Sequence, residues 1–294
     1  MNSIGTLIMN SLTDNSLNQP DFEELREFVY QQTGISLGPE KKVMVEGRLR
    51  KRMRLLNIQT YHEYLEFLFS PAGIKSESDL FINAITTNKT DFFREEKHFD
   101  YLINCALPEI SAGRPRGYQQ KQYSIWSAGC SSGEEPYTLA IVLSELAESD
   151  HTVTYSLCAT DISTEMLQIA SKGVYDFERI QDIPEPLLKK YFLRGKGAHE
   201  GFVRIESRLR KIIQFYRINL LSIPKDFHPP FDVIFCRNVL IYFDRQTQRR
   251  VVQNMLEYLQ PGGYLFIGHS ETLTGLDLPL IRATSTVYKK IDSH

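Results

Sequence analysis

The spacing of apolar positions changes character near residue 122. Before that point apolar side chains recur at helical intervals. Phe22, Leu25, Phe28 and Val29 follow Asp21, a residue type suited to capping, and precede Gly34. Further helical patterns run over 39–56, 61–69 and 78–85. Together they predict a small all-helical domain over 21–88. Ahead of it, residues 1–20 are polar, rich in Asn and Ser, carry one charged side chain, and read as a mobile tail. Beyond residue 122, short apolar runs predict strands at 123–127, 153–160, 212–218, 231–236, 264–268 and 286–291. Helical patterns separate them, the signature of an α/β fold with a parallel sheet and crossover helices. Residues 173–211 break that alternation and hold Gly195, Gly197 and Gly201, which predicts an inserted subdomain.

Composition narrows the class without naming it. The chain has 294 residues, 42% hydrophobic and 24% charged, with a net charge of −2, so it can bury a sizeable core and fits two domains. No overall basic excess points to nucleic acid or a membrane. Four scattered cysteines (Cys105, Cys130, Cys158, Cys236) form no C-x-x-C and no Cys/His cluster. Neither a disulfide framework nor a metal site is expected, which suits a reducing compartment. No apolar run approaches the roughly 18 residues of a membrane span, and the stretch at 4–9 lacks the basic flank of a secretory signal. The expectation is a soluble, cytoplasmic protein.

The candidate chemistry begins in the segment Tyr123-Ser-Ile-Trp-Ser-Ala-Gly-Cys-Ser-Ser-Gly-Glu-Glu-Pro136. It reads as strand, tight loop and helix, the entry unit of a nucleotide-type fold. The loop lacks the Lys-Ser/Thr of a phosphate loop and the full G-x-G-x-x-G spacing, and its carboxylates stand where a phosphate would sit. A cationic ligand without a phosphate fits better, and S-adenosylmethionine is the commonest such cofactor. A plain strand–helix turn would have a similar sequence.

Ligands in open α/β sheets bind at the carboxyl ends of the strands. The first strand leads to Ala128 and Glu134. The second ends at Asp161, 27 residues beyond Glu134, either accepting ribose hydroxyls or capping the next helix. Asn219 and Leu220 follow the third strand and suit an adenine edge and face, although a turn asparagine looks the same. Arg237 and Asn238 follow the fourth, with Tyr242 either lining a site wall or buried in the core.

Four segments then converge on one family. Thr86-Thr-Asn-Lys-Thr-Asp-Phe-Phe-Arg-Glu-Glu-Lys-His-Phe99, Ala128-Gly-Cys-Ser-Ser-Gly-Glu-Glu-Pro-Tyr137, Ala159-Thr-Asp-Ile162 and Cys236-Arg-Asn-Val-Leu-Ile-Tyr-Phe-Asp244 closely resemble the chemotaxis receptor glutamate methyltransferases of the CheR type. The match runs from about Phe22 to Ile291 with the motifs in family order. The resemblance implies an all-α domain followed, over 89–294, by a Rossmann-like S-adenosylmethionine-dependent methyltransferase domain. A small antiparallel β-subdomain would be inserted at 173–211. It implies cofactor contacts from Asn88, Thr90, Arg94, Ala128, Glu134, Asp161, Asn219, Leu220, Arg237 and Asn238. Arg94 and Tyr242 would lie beside the transferred methyl group. The glycines at 195, 197 and 201 resemble the loop that, in some members, docks on a pentapeptide at the receptor's C-terminus. The partners would be the cytoplasmic methylation helices of chemoreceptors, with no nucleic acid and no metal, and the enzyme would act as a monomer.

The reaction this implies needs little from the protein in proton transfer. A glutamate carboxylate has a reference pKa of about 4.3 and is already a nucleophile at neutral pH. What remains is in-line placement and removal of water. Residues 36–54 carry seven basic against two acidic side chains. On a helical wheel Lys41, Arg48, Lys51 and Arg54 share a face, opposite a stripe of Val45, Leu49, Met53 and Leu56. A solvated face would look like this, but in the family the helix reads the acidic methylation helix of the receptor. Two rivals remain. A nucleic-acid methyltransferase of the amino-methylating kind would carry an Asp/Asn-Pro-Pro-aromatic loop after the fourth strand, whereas His228-Pro-Pro-Phe231 precedes that strand. A non-catalytic cofactor sensor would have lost motif residues that are all present.

Overall fold

The computed structural model describes residues 16–114, 120–227 and 230–291. The expectations placed on residues 1–15 and on His228 and Pro229 lie outside them. The chain divides into two compact units. One comprises residues up to Gln32 together with Ser36–Ile85, and the other comprises Thr33–Ile35 with the chain from Thr86 onward.

The first unit is helical. It contains α1 (Gln19–Thr33), α2 (Lys42–Leu56), α3 (Tyr61–Phe69), α4 (Pro71–Ser76) and α5 (Ser78–Ile85). The second predicted helix starts later than its sequence pattern, because Pro39–Lys41 forms a 3₁₀ turn ahead of α2. Proline at the first position supports that turn and supplies no N–H. Inside the unit, Phe22, Leu25, Val45, Leu49, Tyr64, Leu68 and Phe81 are fully buried. Thr60 and Glu63 form a capping box at the start of α3. Glu77 is buried and neutralised by a two-pronged contact from Arg52 at 2.7 and 2.8 Å, with the Tyr64 hydroxyl donating to the same carboxylate at 2.9 Å.

The second unit opens with α6 (Lys97–Tyr101), a π-helical turn at Leu102–Ala106 and α7 (Leu107–Gly113). Then follow β1 (Lys121–Ala128), α8 (Glu134–Ser149), β2 (Val153–Asp161) and α9 (Thr164–Lys172). The insert supplies β3 (Val174–Asp176), α10 (Glu185–Tyr191), β4 (Phe192–Arg194) and β5 (Phe202–Ile205). The unit ends with α11 (Ser207–Ile212), β6 (Ile213–Arg217), β7 (Phe231–Cys236), α12 (Arg245–Leu256), β8 (Leu259–Ile267), β9 (Leu280–Arg282) and β10 (Val287–Lys290).

Seven strands form the main sheet in the order β6-β2-β1-β7-β8-β10-β9. The first five are parallel, while β10 runs antiparallel to β8 and β9 antiparallel to β10. The antiparallel edge and β9 were not legible as such: β9 is three residues long, below the length at which apolar alternation registers. Side chains alternate between two cores. Tyr123, Ile125, Val233, Phe235 and Phe266 face the core beneath α8, and Trp126, Ile234, Cys236, Leu265 and Ile267 face the one beneath α12. All six residues of β7 are buried, as a central strand requires. The chain runs outward from β1 through β2 to β6 and then returns to β7 on the other side of β1, so the strand order reverses between β1 and β7. A doubly wound sheet presents its ligand crevice there. The insert is a separate antiparallel sheet of three strands, β3-β5-β4. Among the described residues no helix is long and apolar enough to cross a membrane.

Candidate active site

The loops leaving β1, β2, β6, β7 and β8 converge at the carboxyl edge of the sheet, joined by residues 86–95. Backbone conformation marks the place. Of the non-glycine residues with positive φ, Phe93 (53°), Glu95 (57°), Ser131 (49°) and Asn238 (58°) all belong to these loops. Each left-handed residue costs of the order of 1–3 kcal/mol and persists only where its surroundings hold it.

The loop after β1 is held by β2. Gly129 and Cys130 donate backbone N–H groups to the Thr160 carbonyl at 2.8 and 2.9 Å. Gly129 has φ of 78°, and a side chain there would also meet Val239 at 2.5 Å, so only glycine fits. Asp161, 8% exposed, accepts the Ser131 N–H at 2.8 Å and the Ser163 N–H at 2.8 Å. Ser163, not Asp161, supplies the side-chain cap of α9, accepting from Met166 at 3.2 Å. The simple capping alternative for Asp161 is thereby replaced: its carboxylate ties the β1 loop to the β2 end. Burial pushes the Asp161 carboxyl above its usual range, against the pull of those backbone donors.

Glu134 opens α8 and is wholly inaccessible. Its Oε2 accepts the Ser132 hydroxyl at 2.7 Å, while Oε1 has no hydrogen-bond donor. Arg179 Nη2 stands 2.7 Å from Oε1 as an ion pair, but out of hydrogen-bond alignment. Burial raises the Glu134 carboxyl, with Ser132 and then Arg179 opposing the shift. Arg179 comes from the insert and also donates to the Thr90 carbonyl at 2.6 Å. An under-satisfied buried carboxylate oxygen at a helix entrance is what an ammonium group would complete.

Arg237 is the centre of a buried charge network. Its side chain, 3% exposed, contacts Glu95 Oε2 at 3.1 Å and Glu135 Oε2 at 3.2 Å, and also donates to the Arg94 carbonyl. Glu135 in turn accepts the Ser127 hydroxyl at 2.7 Å. Burial raises the Glu135 carboxyl despite Arg237. In Glu95 burial acts in the same upward direction, but Arg237 and the His269 N–H outweigh it and hold the group below its usual value. The expected cofactor residue Arg237 therefore has its guanidinium engaged by the protein's own carboxylates.

The remaining expected residues sit around this frame. The Asn88 carbonyl accepts the Ser131 hydroxyl at 3.0 Å. Half-buried Arg94 rests one nitrogen on the Lys89 carbonyl at 3.1 Å, flanked by the two left-handed residues Phe93 and Glu95. Tyr242 is also half-buried, its hydroxyl reaching the Thr87 carbonyl at 3.5 Å, so it is neither core nor free surface. Ala128 is buried at the end of β1, and Leu220 lies buried beside half-exposed Asn219, whose Oδ1 accepts the Leu221 N–H at 3.0 Å. Gly195, Gly197 and Gly201 occupy the β4–β5 loop, beside a hollow of about 560 Å³ also lined by Phe177, Arg194, Lys196 and Phe202. In the first unit, Lys41, Lys51 and Arg54 are exposed, but Arg48 is turned inward and donates to the Ile85 carbonyl, which corrects its assignment to the open basic face.

Several residues escaped the sequence reading. Glu271 accepts N–H groups from Asn238 at 3.0 Å and Ile241 at 3.2 Å, and from Gly268, so it holds the β7 and β8 loops together. The strand-end rule that selected Asp161 would have selected it too, because it follows β8 in Gly268-His-Ser-Glu271. Glu135, Arg179 and Glu95 carried no such positional signal. Glu95, His98 and His269 also come together, with their ligand-type atoms within 4.8 Å of one another. The cation on that carboxylate is Arg237.

His98 has a measurable consequence. It is buried, its Nε2 paired with the Thr286 hydroxyl at 2.7 Å, and burial, then Arg237, lowers its pKa to about 4. The unfolded chain therefore binds a proton that the folded protein refuses between about pH 6.5 and pH 4. Stability should fall as pH is lowered through that window, by up to about 1.4 kcal/mol per pH unit from this group. Urea titrations at several pH values on the wild type and His98→Gln check it. A variant with an unchanged slope would assign the acid sensitivity elsewhere.

Comparison with known proteins fits this geometry. Residues 88–289 match the family model described as CheR methyltransferase, SAM binding domain, and residues 20–86 match the CheR methyltransferase, all-alpha domain. The chain is 42% identical over 269 residues to chemotaxis protein methyltransferase 2 of Pseudomonas aeruginosa, covering 91% of this chain and 92% of that one. It is 39% identical over 272 residues to the chemotaxis protein methyltransferase of Klebsiella aerogenes, covering 92% and 90%. To the Escherichia coli chemotaxis protein methyltransferase it is 38% identical over 273 residues, covering 93% and 91%. The family suggested by the four motifs is the one these matches give. The chain belongs to the CheR family of S-adenosylmethionine-dependent methyltransferases, with the all-alpha domain preceding the cofactor-binding domain.

Proposed function

We propose that this enzyme moves the methyl group of S-adenosylmethionine onto the side-chain carboxylate of particular glutamates in chemotaxis receptors, forming methyl esters and S-adenosylhomocysteine. The observation that carries the reading is Glu134: a buried carboxylate at the entrance of the β1–α8 loop whose Oε1 has the Arg179 guanidinium at 2.7 Å but no aligned hydrogen-bond donor. A bound amino-acid ammonium would complete it. Asp161, beside the Ser131 loop, would receive the ribose, and Asn219 with Leu220 the adenine. Asn88, Thr90, Ala128 and Asn238 would close the pocket. The cofactor supplies an electrophilic methyl on a sulfonium. The rest of the chemistry is placement by this chain's own residues.

No general base is required, and the site is consistent with that. Glu95 and Glu135 are bound to Arg237, Glu271 to backbone donors, and His98 has its pKa lowered to about 4. The nucleophile is the ionised glutamate of the substrate. Arg94 would orient it through a charge-assisted hydrogen bond, its backbone fixed by Arg237 on the Arg94 carbonyl. Tyr242, across from Thr87, would form the opposite wall. Arg94→Ala should lower kcat about 100-fold, comparable to loss of a transition-state donor, with the KM for S-adenosylmethionine nearly unchanged. Equal losses in cofactor affinity and turnover would make Arg94 a cofactor ligand instead.

The domain division at about residue 88 separates recognition from chemistry in this reading. Lys41, Lys51 and Arg54 of the first unit would attract the acidic methylation helices, so salt should raise the KM for receptor more than that for cofactor. The β4–β5 hollow, with Arg194 and Lys196 beside Phe177 and Phe202, suits a short receptor tail carrying an aromatic side chain and a carboxylate. The enzyme would work as a monomer in the cytoplasm. Transfer of radiolabelled methyl groups to receptor-containing membranes, with a base-labile product, tests the whole proposal. Label on nucleic acid, or cofactor binding without transfer, would overturn it.

A further inference from the structure

The outer face of α2 contains a notch. Val43, Gly47, Lys51 and Leu55 follow one another at intervals of four residues and form a single ridge along the helix. The two apolar ends of that ridge point into solvent, Val43 at 76% exposure and Leu55 at 65%. Between them Gly47 is exposed, and a Cβ added there would meet nothing within 4 Å. Neither chain conformation nor packing therefore requires glycine at this position: it is helical, solvent-facing and unobstructed. Glycine in a helix interior is destabilising relative to alanine, so the residue weakens α2 with no return inside the unit.

The next ridge carries Arg50 and Arg54, and Lys51 borders the notch directly. Arg50 is partly engaged, donating to the Tyr61 hydroxyl at 3.1 Å. Arg54 and Lys51 make no side-chain hydrogen bond or ion pair among the described residues. A face with a missing side chain at its centre, apolar residues at both ends and cations along the flank is complementary to one kind of object. That object is another helix, crossing at the notch, with acidic side chains on the flanks of its contact stripe. Ridges at four-residue spacing interdigitate in the commonest class of helix crossing, and the interaxial distance falls with the size of the side chains at the contact.

We infer that Gly47 is the crossing point at which α2 admits an acidic amphipathic helix at close range, with Val43 and Leu55 as apolar contacts and Lys51 and Arg54 as charge partners. The inference rests on the proposed reading of α2 as a receptor-facing helix and adds the determinant that selects a helical partner over any polyanion. Its unusual property is that stability and function should move in opposite directions. Gly47→Ala and Gly47→Gln should both raise the urea midpoint of the full-length enzyme, since each improves helix propensity.

The test measures steady-state methylation of a chemoreceptor cytoplasmic fragment by the full chain. Gly47→Ala is expected to raise the KM for the fragment several-fold and Gly47→Gln about tenfold or more, the latter equivalent to about 1.4 kcal/mol. The KM for S-adenosylmethionine should not move with either. Lys51→Glu and Arg54→Glu serve as the parallel arm. If charge reversal raises the fragment's KM while the Gly47 variants leave it unchanged, the notch is overturned and the receptor-facing reading survives. If neither set changes it, the receptor-facing reading fails as well.

Discussion

Arg237→Met should be the most damaging single substitution in the cofactor-binding unit, lowering stability by about 3–5 kcal/mol. The side chain is 3% exposed and stands between Glu95 and Glu135, themselves 11% and 12% exposed. Deleting the guanidinium leaves two carboxylates facing each other with no cation and little water. It also frees the Arg94 carbonyl, so turnover should fall with stability. The pH dependence follows from Glu95, whose folded pKa lies below its unfolded one. The stability it gains from Arg237 is fully present above the unfolded value of about 4.3 and is lost as pH falls through the lowered folded value. The gap between wild type and variant should therefore narrow in acid. Chemical denaturation of Arg237→Met alone and combined with Glu95→Gln and Glu135→Gln separates the effects. The combination should recover most of the stability and little of the activity. A loss below about 1 kcal/mol in the single variant would mean that water already screens the network.

The second large effect is expected at Asp161. Its two oxygens accept from Ser131 and Ser163 at 2.8 Å each. Hydrogen bonds to a charged acceptor contribute about 1.5–3 kcal/mol apiece. Asp161→Asn keeps the size but turns an amide donor toward one of two backbone donors. Cofactor-product affinity should fall about 100-fold, measured by calorimetry with S-adenosylhomocysteine, with a smaller effect on kcat. Binding at wild-type strength would remove Asp161 from both ribose recognition and support of the loop.

How much of this was readable in advance differs by residue. The five parallel strands were legible because each carries an apolar run set between helical patterns, from the fully buried central β7 to the edge strand β6. Beyond β8, the strands β10 and β9 form a short antiparallel edge, and β9 left no pattern. Strand-end carboxylates could be found by position, which is why Asp161 and Glu134 were identified and Glu271 could have been. Arg237 was located but its engagement was not, because its partners Glu95 and Glu135 are 142 and 102 residues away in sequence. Arg48 illustrates a limit of helical wheels: angle assigns a face, whereas a long side chain can fold back to a carbonyl on another helix.

The insert also reaches the loop that follows β1. Arg179 joins the small three-stranded sheet to the catalytic half by two contacts, one to the Thr90 carbonyl and one to Glu134. Trimming the insert to obtain a minimal enzyme would thus strip a charge partner from the most deeply buried acid of the pocket. Members of the family that carry the arginine would share this constraint. The outer loop of such a module is free to vary, while its inner arginine stays fixed by the contacts to Glu134 and the Thr90 carbonyl.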